Sequence, residues 1–299
     1  MMRLDPKLMI AFAVIAQERS FTRAAERLRV AQPWLSARFA KLESLLGFRL
    51  LDRTTRSVTL TDRGATLLPV AEEMLRVSQQ ADRLSLQIGR MERQVLRIGA
   101  APYTKVIRRR HELLNDFALT RTDIGLELEI SWSIPLLAKL DAGEIDSSFM
   151  MGTVDPRQYE RITLAEYGLA ISVDKAHAWA GRAHLDVEDV AGMAVQVFTR
   201  SLNPGLWATL HAPLIEAGCR FISMPEMAEG APTRMRSPED VAAFFDFGTD
   251  EPAAADVVRI PLRSQVAVPF QLLRRVGYAS PASDAFWAMA DKSARTPIL

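Results

Sequence analysis

The chain has 299 residues, 48% of them hydrophobic, with 37 Lys and Arg against 36 Asp and Glu. That composition can bury sizeable cores and excludes a disordered tail; no apolar run reaches membrane-spanning length, and one cysteine, Cys219, excludes an intrachain disulfide and any Cys-x-x-Cys site. The near-neutral total conceals an asymmetry: residues 1–65 hold 12 Lys and Arg against 6 Asp and Glu, and residues 66–299 hold 25 against 30. A basic front on an acidic rear is the electrostatic footprint of a nucleic-acid-binding head on an ordinary soluble body.

In chain order, Met1–Pro6 leads into an amphipathic helix with no signal-peptide core, which predicts cytoplasmic residence. A short helix follows with Ala24, Ala25 and Leu28 on one face. Ser20 or Thr22 can cap its start through a hydroxyl that accepts a free backbone N–H. After a break at 29–31, Gln32-Pro33 opens a second helix, since proline suits a first turn where its missing N–H is not needed. Leu35, Phe39, Leu42, Leu45 and Leu46 form its apolar stripe, with Trp34, Ser36, Ala37, Arg38, Lys41 and Glu43 off it, and Gly47 ends it. Two helices joined by a tight turn, the second polar and basic near its N-terminus, match the geometry that lays a recognition helix in the major groove. Leu50-Leu51 and Val58–Leu60 then read as the strands of a hairpin around residues 52–57. Arg49, Arg53 and Arg56 on that wing suit phosphate or minor-groove contact. The blander alternative is a plain helical hairpin with a solvated basic face; the wing and the local charge excess favour DNA.

Leu67, Val70, Met74, Val77, Ala81, Leu84, Ile88 and Met91 repeat at alternating spacings of three and four. Such a heptad seam, narrow and flanked by charge, calls for a partner helix; the alternative is a helix packed on its own body. From Val95 onward strands and helices alternate: strands at 95–100, 126–131, 145–151, 168–173, 194–198 and 261–268, and helices at 104–119, 135–142, 205–217 and 283–294. That alternation predicts an α/β domain with a mostly parallel sheet.

The run Ser20–Leu28, together with Gln32, Pro33, Ser36, Leu42, Glu43, Leu46, Gly47, Arg53, Thr54, Leu60, Thr61 and Gly64, resembles the LysR-type transcriptional regulators, and the resemblance spans the chain. It implies a multidomain protein. An all-α, winged helix-turn-helix N-terminal domain covers residues 1–65, and a long linker helix for dimerisation covers 66–92. An α/β two-lobed effector domain, shaped like a periplasmic solute-binding protein, covers 93–299, with lobe I at 93–164 and 268–299 and lobe II at 165–267. On the resemblance, Gln32, Pro33, Trp34, Ser36 and Arg38 face the groove while Arg53 and Arg56 hold the DNA backbone. Arg38 bonded to a guanine edge would contribute about 1–3 kcal/mol of discrimination. The chain departs from the family pattern at Arg19, where glycine is frequent, at Ala31 (serine), at Ala37 (arginine) and at Trp34 (a small residue). Trp34 has a rival place, packed under the wing as core.

Ligands in such α/β folds sit beyond the carboxyl ends of strands, often at helix N-termini. The resemblance places effector contacts in the stretches 101–104, 131–133 and 199–203, making Thr104, Ser131, Ser133, Thr199 and Asn203 the candidates and Arg200 a partner for an inducer carboxylate. Serines and threonines in such places also serve as plain caps. Phe244-Phe245-Asp246-Phe247 departs from the family and reads either as a change in ligand preference or as a surface loop.

The expected function is therefore a DNA-binding transcriptional regulator whose promoter binding and DNA bending respond to a small-molecule inducer, at family level an aromatic or other small carboxylate. The expected partners are double-stranded promoter DNA, the inducer, a second copy through the linker helix, a homotetramer, and RNA polymerase, with no membrane. No cofactor, metal or catalytic group is expected. The alternative, a solute-binding protein or enzyme built on the C-terminal α/β domain, lacks support: His111, His177, His184 and His211 are scattered, His177 and His184 give only a weak metal signal, and no Gly-rich phosphate loop occurs.

Overall fold

Helix α1 (Pro6–Glu18) starts where the Asp5 carboxylate accepts the Lys7 N–H, with Pro6 in the first turn. α2 (Phe21–Arg27) is capped by Ser20, whose hydroxyl accepts the Arg23 N–H at 3.3 Å; of the two hydroxyls expected to serve, Ser20 does so. α3 (Gln32–Leu46) begins at Ala31, which has no side-chain cap, and ends at Gly47 with φ +73°. The three helices close on Phe39, whose ring centroid lies 5.9 Å from that of Phe12 and 5.7 Å from that of Phe21. Only Leu35, Phe39 and Leu42 of the expected α3 stripe are fully buried, with Leu46 half-buried; Leu45 is 51% exposed. The line 35, 39, 42, 46 follows one helical face, and Leu45 lies a full residue's rotation off it. These statements concern the residues that the computed structural model describes: 4–53, 58–91, 95–224, 235–248, 256–278 and 280–295. The chain divides into two units, Met1–Ser85 and Leu86–Leu299.

Arg19 closes α1 in the left-handed region, φ 50° and ψ 28°, at the position where the family pattern carries glycine. A Cβ in that conformation costs roughly 1–2 kcal/mol, part of which glycine returns as unfolded-state entropy. Arg19→Gly is therefore expected to stabilise the first unit by about 0.5–1 kcal/mol, read as a higher urea midpoint at unchanged slope; a lower midpoint would show that the arginine side chain matters more than its backbone.

The wing is an antiparallel pair, β1 (Leu51–Arg53) and β2 (Val58–Leu60), with Leu51 opposite Leu60; the first strand thus runs later than the expected Leu50-Leu51. Two side chains tie it to the helices. The Glu43 carboxylate accepts the N–H groups of Leu50 and Leu51 at 2.8 and 3.1 Å. Thr61 donates its N–H to the Leu50 carbonyl at 3.0 Å and its hydroxyl to the Arg49 carbonyl at 2.9 Å, while that hydroxyl accepts the Gly64 N–H at 3.0 Å. Thr61 thereby caps α4 (Asp62–Met91), a 30-residue helix that spans about 45 Å. Ala71 and Leu75 of α4 are buried in the first unit's core, with Leu67 and Met74 half-buried beside them. Val70, Val77 and Ala81 of the heptad seam are exposed; the side chains of Leu84, Ile88 and Met91 lie outside the described residues.

The second unit opens with β3 (Val95–Ala100), α5 (Arg108–Thr120), β4 (Gly125–Ile130), α6 (Ser133–Ala142) and β5 (Ser147–Met151), with β3 parallel to both β4 and β5. β6 (Tyr159–Tyr167), not foreseen from the sequence, follows, and at Gly168 the chain passes to a second sheet. That sheet comprises β7 (Leu169–Asp174), β8 (Leu185–Asp186), β9 (Ala194–Val197), β10 (Arg220–Ser223), β11 (Val241–Phe245) and β12 (Val257–Arg263), in the order β10-β9-β11-β7-β12-β8. The chain returns across 264–267 to β13 (Val268–Arg275), completing a first sheet of order β4-β3-β5-β13-β6. Both sheets are mixed rather than mostly parallel. β13 runs antiparallel to β5 and β6, and β7 antiparallel to β11 and β12, because the strand entered after each crossing, β7 or β13, runs against the direction set by the βαβ units. The single strand expected at 261–268 straddles the return crossing. The helix expected at 205–217 is two, α7 (Pro204–Leu210) and α8 (Ala212–Glu216), broken where Pro213 withholds an N–H in the new first turn. Phe244, Phe245 and Phe247 are buried on and beside central strand β11, which overturns the surface-loop reading of that stretch. α9 (Pro281–Ala294) ends the described chain and sets Phe286 edge-on to Phe117 at 5.1 Å.

Candidate DNA interface and effector cleft

The outer face of α3 carries two side-chain pairs at i,i+4 spacing. The Gln32 amide donates to the Ser36 hydroxyl at 2.9 Å. The Arg38 guanidinium lies 5.0 Å from the Trp34 ring centroid, close enough for a cation–π attraction. Trp34 is 48% exposed, which removes its rival place as core beneath the wing. Pro33, Ala37 and Lys41 are exposed on the same helix. Gln32, Pro33, Trp34, Ser36 and Arg38 thus belong to one outward surface. By contrast Arg27 is held within the first unit, donating to Gln17 and Glu18 of α1. The Arg53 backbone closes β1, opposite Val58; its side chain, and the whole of Arg56, lie outside the described residues. Glu43, Thr61 and Gly64 were legible only as motif letters, and their work is structural: they fix the wing against α3 and α4.

In the second unit a pocket opens between the two sheets. Tyr103, Trp132 and Ser133 line it from the first; Phe198, Leu202, Asn203, Leu206, Phe244 and Phe245 line it from the second. The Tyr103 and Phe245 rings stack at 5.7 Å across it. The Tyr103 hydroxyl and Ser133 Oγ are 3.0 Å apart, and burial pushes the phenol pKa up to about 12, so it stays neutral. The cavity is small, about 20 Å³. That is room for about one water. A drug-sized ligand needs several hundred Å³, so the lobes must part, or the aromatic rings repack, before one enters.

Of the six effector candidates, Ser133 and Asn203 line this pocket. Asn203 also caps α7, its side-chain oxygen accepting the Leu206 N–H at 3.0 Å. Thr104 is buried just behind, its hydroxyl donating to the Ala101 carbonyl at 2.6 Å and accepting from Arg110 at 3.0 Å, which leaves it no donor for a ligand. Ser131, Thr199 and Arg200 are not on the pocket wall. Ser131 donates its N–H to the Ala100 carbonyl, Thr199 pairs its hydroxyl with Ser223 at 3.1 Å, and exposed Arg200 lies over the Trp207 ring at 5.4 Å. The sequence reading chose polar candidates and named none of the aromatic wall among them, although the stretches 101–104 and 131–133 contain Tyr103 and Trp132, and Phe244-Phe245 is offered there as a change in ligand preference; Phe198 was not foreseen. The one available signal for the wall was the density of aromatic residues near strand ends.

Among the described residues, no group of three or more His, Cys, Asp or Glu is placed to hold a metal ion. His177 accepts the Trp179 N–H through Nδ1 at 3.0 Å. His211 is buried against Phe198, Trp207 and Phe221, and burial pushes its pKa down to about 4. Burial likewise pushes the Cys219 thiol up, the opposite of what a reactive thiolate needs. No described helix is long and apolar enough to cross a membrane.

The family described as "Bacterial regulatory helix-turn-helix protein, lysR family" matches residues 6–65, and the "LysR substrate binding domain" matches residues 89–231. The HTH-type transcriptional regulator YnfL of Escherichia coli (strain K12), itself uncharacterized, is 27% identical over 206 residues, 69% of each chain. The DNA-binding transcriptional dual regulator OxyR of the same organism is 29% identical over 178 residues, 60% of this chain and 58% of OxyR, so that match spans less than two thirds of the relative. The fold is that of CbnR, a LysR family transcriptional regulator, at TM-score 0.55 and 18% identity, covering 98% of this chain and 100% of CbnR. Full-length CbnR complexed with its target DNA superposes at TM-score 0.52, with 19% identity over 98% of this chain and 100% of that one. With a helix-turn-helix head in residues 6–65 and an aromatic pocket between the two sheets of its C-terminal unit, this chain belongs to the LysR family of DNA-binding transcriptional regulators and carries that family's effector-binding domain.

Proposed function

We propose that this regulator binds promoter DNA as a dimer or tetramer and changes its grip when a small apolar acid, an aromatic carboxylate foremost, enters the pocket between the sheets. One observation carries the reading: five aromatic side chains from two sheets meet in a pocket closed down to about 20 Å³ of water-sized room. The chain crosses between the sheets at Gly168 and again at 264–267. A ligand that separates or clamps them has a differential affinity for the two arrangements, which is what shifts a population. Residues 1–65 then read the DNA, 66–92 pair two copies and 93–299 sense the ligand.

Exposed Val70 and Val77 on α4 support pairing through that helix. Leu128 and Ile130 on edge strand β4 and Ile222 on edge strand β10 are also exposed, which supports self-association of effector domains into a tetramer that bends the duplex between its sites. Chromosomal DNA as ligand places the protein in the cytoplasm beside RNA polymerase, and the reading assigns no catalysis to the pocket. The peroxide response that OxyR's relatives are named for does not carry over by an intrachain disulfide, because Cys219 is alone. Mobility-shift titration on the gene's own upstream intergenic DNA at low salt is expected to give sequence-dependent complexes, with the affinity or the bend altered by small aromatic acids. Indifference to that DNA would end the promoter reading; binding unmoved by any small acid would end the inducer reading alone.

A further inference from the structure

The first turn of α5 is electrostatically backwards. It holds Arg108, Arg109 and Arg110 in succession, no acidic residue, and an N-cap, Ile107, with no side-chain hydrogen bond. Arg108 pairs with Glu112 one turn on and Arg109 donates to Ser293, while Arg110 is the most deeply buried of the three. A helix N-terminus carries partial positive charge, so cations there repel it and anions are drawn to it. Arg110 sharpens the conflict. It is only 3% exposed, and burial pushes its pKa down; no carboxylate among the described residues pairs with it. Its Nη1 donates to the Thr104 hydroxyl at 3.0 Å, and its buried Nε has no partner. Helical side chains lean toward the N-terminus of their own helix. The bond to Thr104, three residues ahead of the N-cap, shows that Arg110 does so, folding its guanidinium over the turn that enters α5. A buried cation with no counter-charge among the described residues is strongly unfavourable.

We propose that Arg110 and the N-terminus of α5 form a binding site for an oxyanion, with Thr104 as the residue that positions the guanidinium. Tyr103, next to Thr104 in the chain, lines the pocket between the sheets. The oxyanion therefore has two sources: the carboxylate of a ligand whose apolar body occupies that pocket, or a free inorganic phosphate. The first source rests on the inducer reading above; the second does not. Arg110, rather than exposed Arg200, is then the group that selects acids over neutral compounds.

The test is thermal melting of the full-length protein with sodium benzoate, neutral benzamide or sodium phosphate at constant ionic strength, comparing wild type with Arg110→Met and Arg110→Gln. A saturable rise of about 3 °C or more is expected for wild type with benzoate or phosphate. Both variants are expected to lose it or to need at least tenfold more anion. Ligand-free Arg110→Met, an apolar side chain of similar reach, is expected to melt above wild type, whereas a purely structural arginine would make it melt below. Benzoate acting where phosphate does not assigns the site to an effector carboxylate, and phosphate alone assigns it to an inorganic oxyanion. The site is overturned if neither anion gives wild type a saturable response, or if both variants respond as wild type does. Benzoate and benzamide acting alike in wild type and variants would overturn the Arg110 site while leaving the aromatic pocket as a ligand site. Arg110→Gln keeps a donor for Thr104, so its anion response decides the matter should Arg110→Met fail to fold.

Discussion

Gly64→Ala is expected to destabilise the first unit by about 3 kcal/mol or more and to abolish DNA binding. A Cβ on Gly64 would lie 2.0 Å from the Leu50 carbonyl oxygen, 3.0 Å from its carbon and 3.3 Å from its Cα. All three atoms are backbone, so no rotamer change relieves the clash. Leu50 is fully buried, its N–H held by Glu43 and its carbonyl by the Thr61 N–H, so moving it breaks the two ties between the wing and the helices. Helix propensity argues the other way, since alanine gains about 1 kcal/mol over glycine inside a helix. Steric overlap of more than 1 Å against a hydrogen-bonded backbone outweighs that gain. Urea unfolding of the variant beside wild type measures the difference; a variant as stable as wild type would mean the wing does not pack on the start of α4 as described.

Arg38→Ala is expected to weaken binding to the preferred operator by roughly 10- to 100-fold, the loss of about 1–3 kcal/mol that a base-edge contact confers. Binding to unrelated DNA should change little. The exposed guanidinium rests on the Trp34 ring, so part of its ordering cost is met before DNA arrives. Arg38→Lys is not expected to rescue, because an ammonium neither stacks flat on an indole nor forms a bidentate pair with guanine. A double-mutant cycle with Trp34→Ala should show coupling of about 0.5–1 kcal/mol. We propose the opposite profile for Arg53, assigned to the phosphate backbone: Arg53→Ala should weaken all sequences alike and flatten the salt slope by about 1. Binding titrations on operator and scrambled duplexes at several salt concentrations separate the two; an Arg38 variant that loses affinity uniformly would place that residue on phosphate instead.

Much of the DNA-reading unit was legible because its signals are local. Ser20 as a cap, Pro33 in a first turn and Gly47 as a helix stop each act within a few residues, and each does so in the fold. Ala31 without a capping hydroxyl and Arg19 in the left-handed region are departures visible in the sequence whose backbone consequences the structure displays. The effector pocket was far less legible. Its walls come from Tyr103, Trp132, Phe198 and Phe245, residues as much as 142 positions apart, joined only by two sheets meeting. Polar residues at strand ends drew the sequence reading to Thr104, Ser131 and Thr199. Their hydroxyl and backbone groups are instead engaged in hydrogen bonds with near neighbours or with residues far along the chain.

By itself the sequence pointed to a winged helix-turn-helix head, followed by a long amphipathic helix and an α/β body. Helix periodicity, caps, breakers and charge segregation are written within a few turns of chain, and the burial of one face follows from them. Tertiary structure alone decided which side chains face what. It put Trp34 outside and Phe244 inside, made Thr61 and Gly64 the hinge pin of the wing, and left Arg110 buried without a counter-charge among the described residues. Those outcomes depend on contacts between segments distant in the chain, where a guanidinium's fate rests on whether a carboxylate happens to reach it, and no local pattern encodes that.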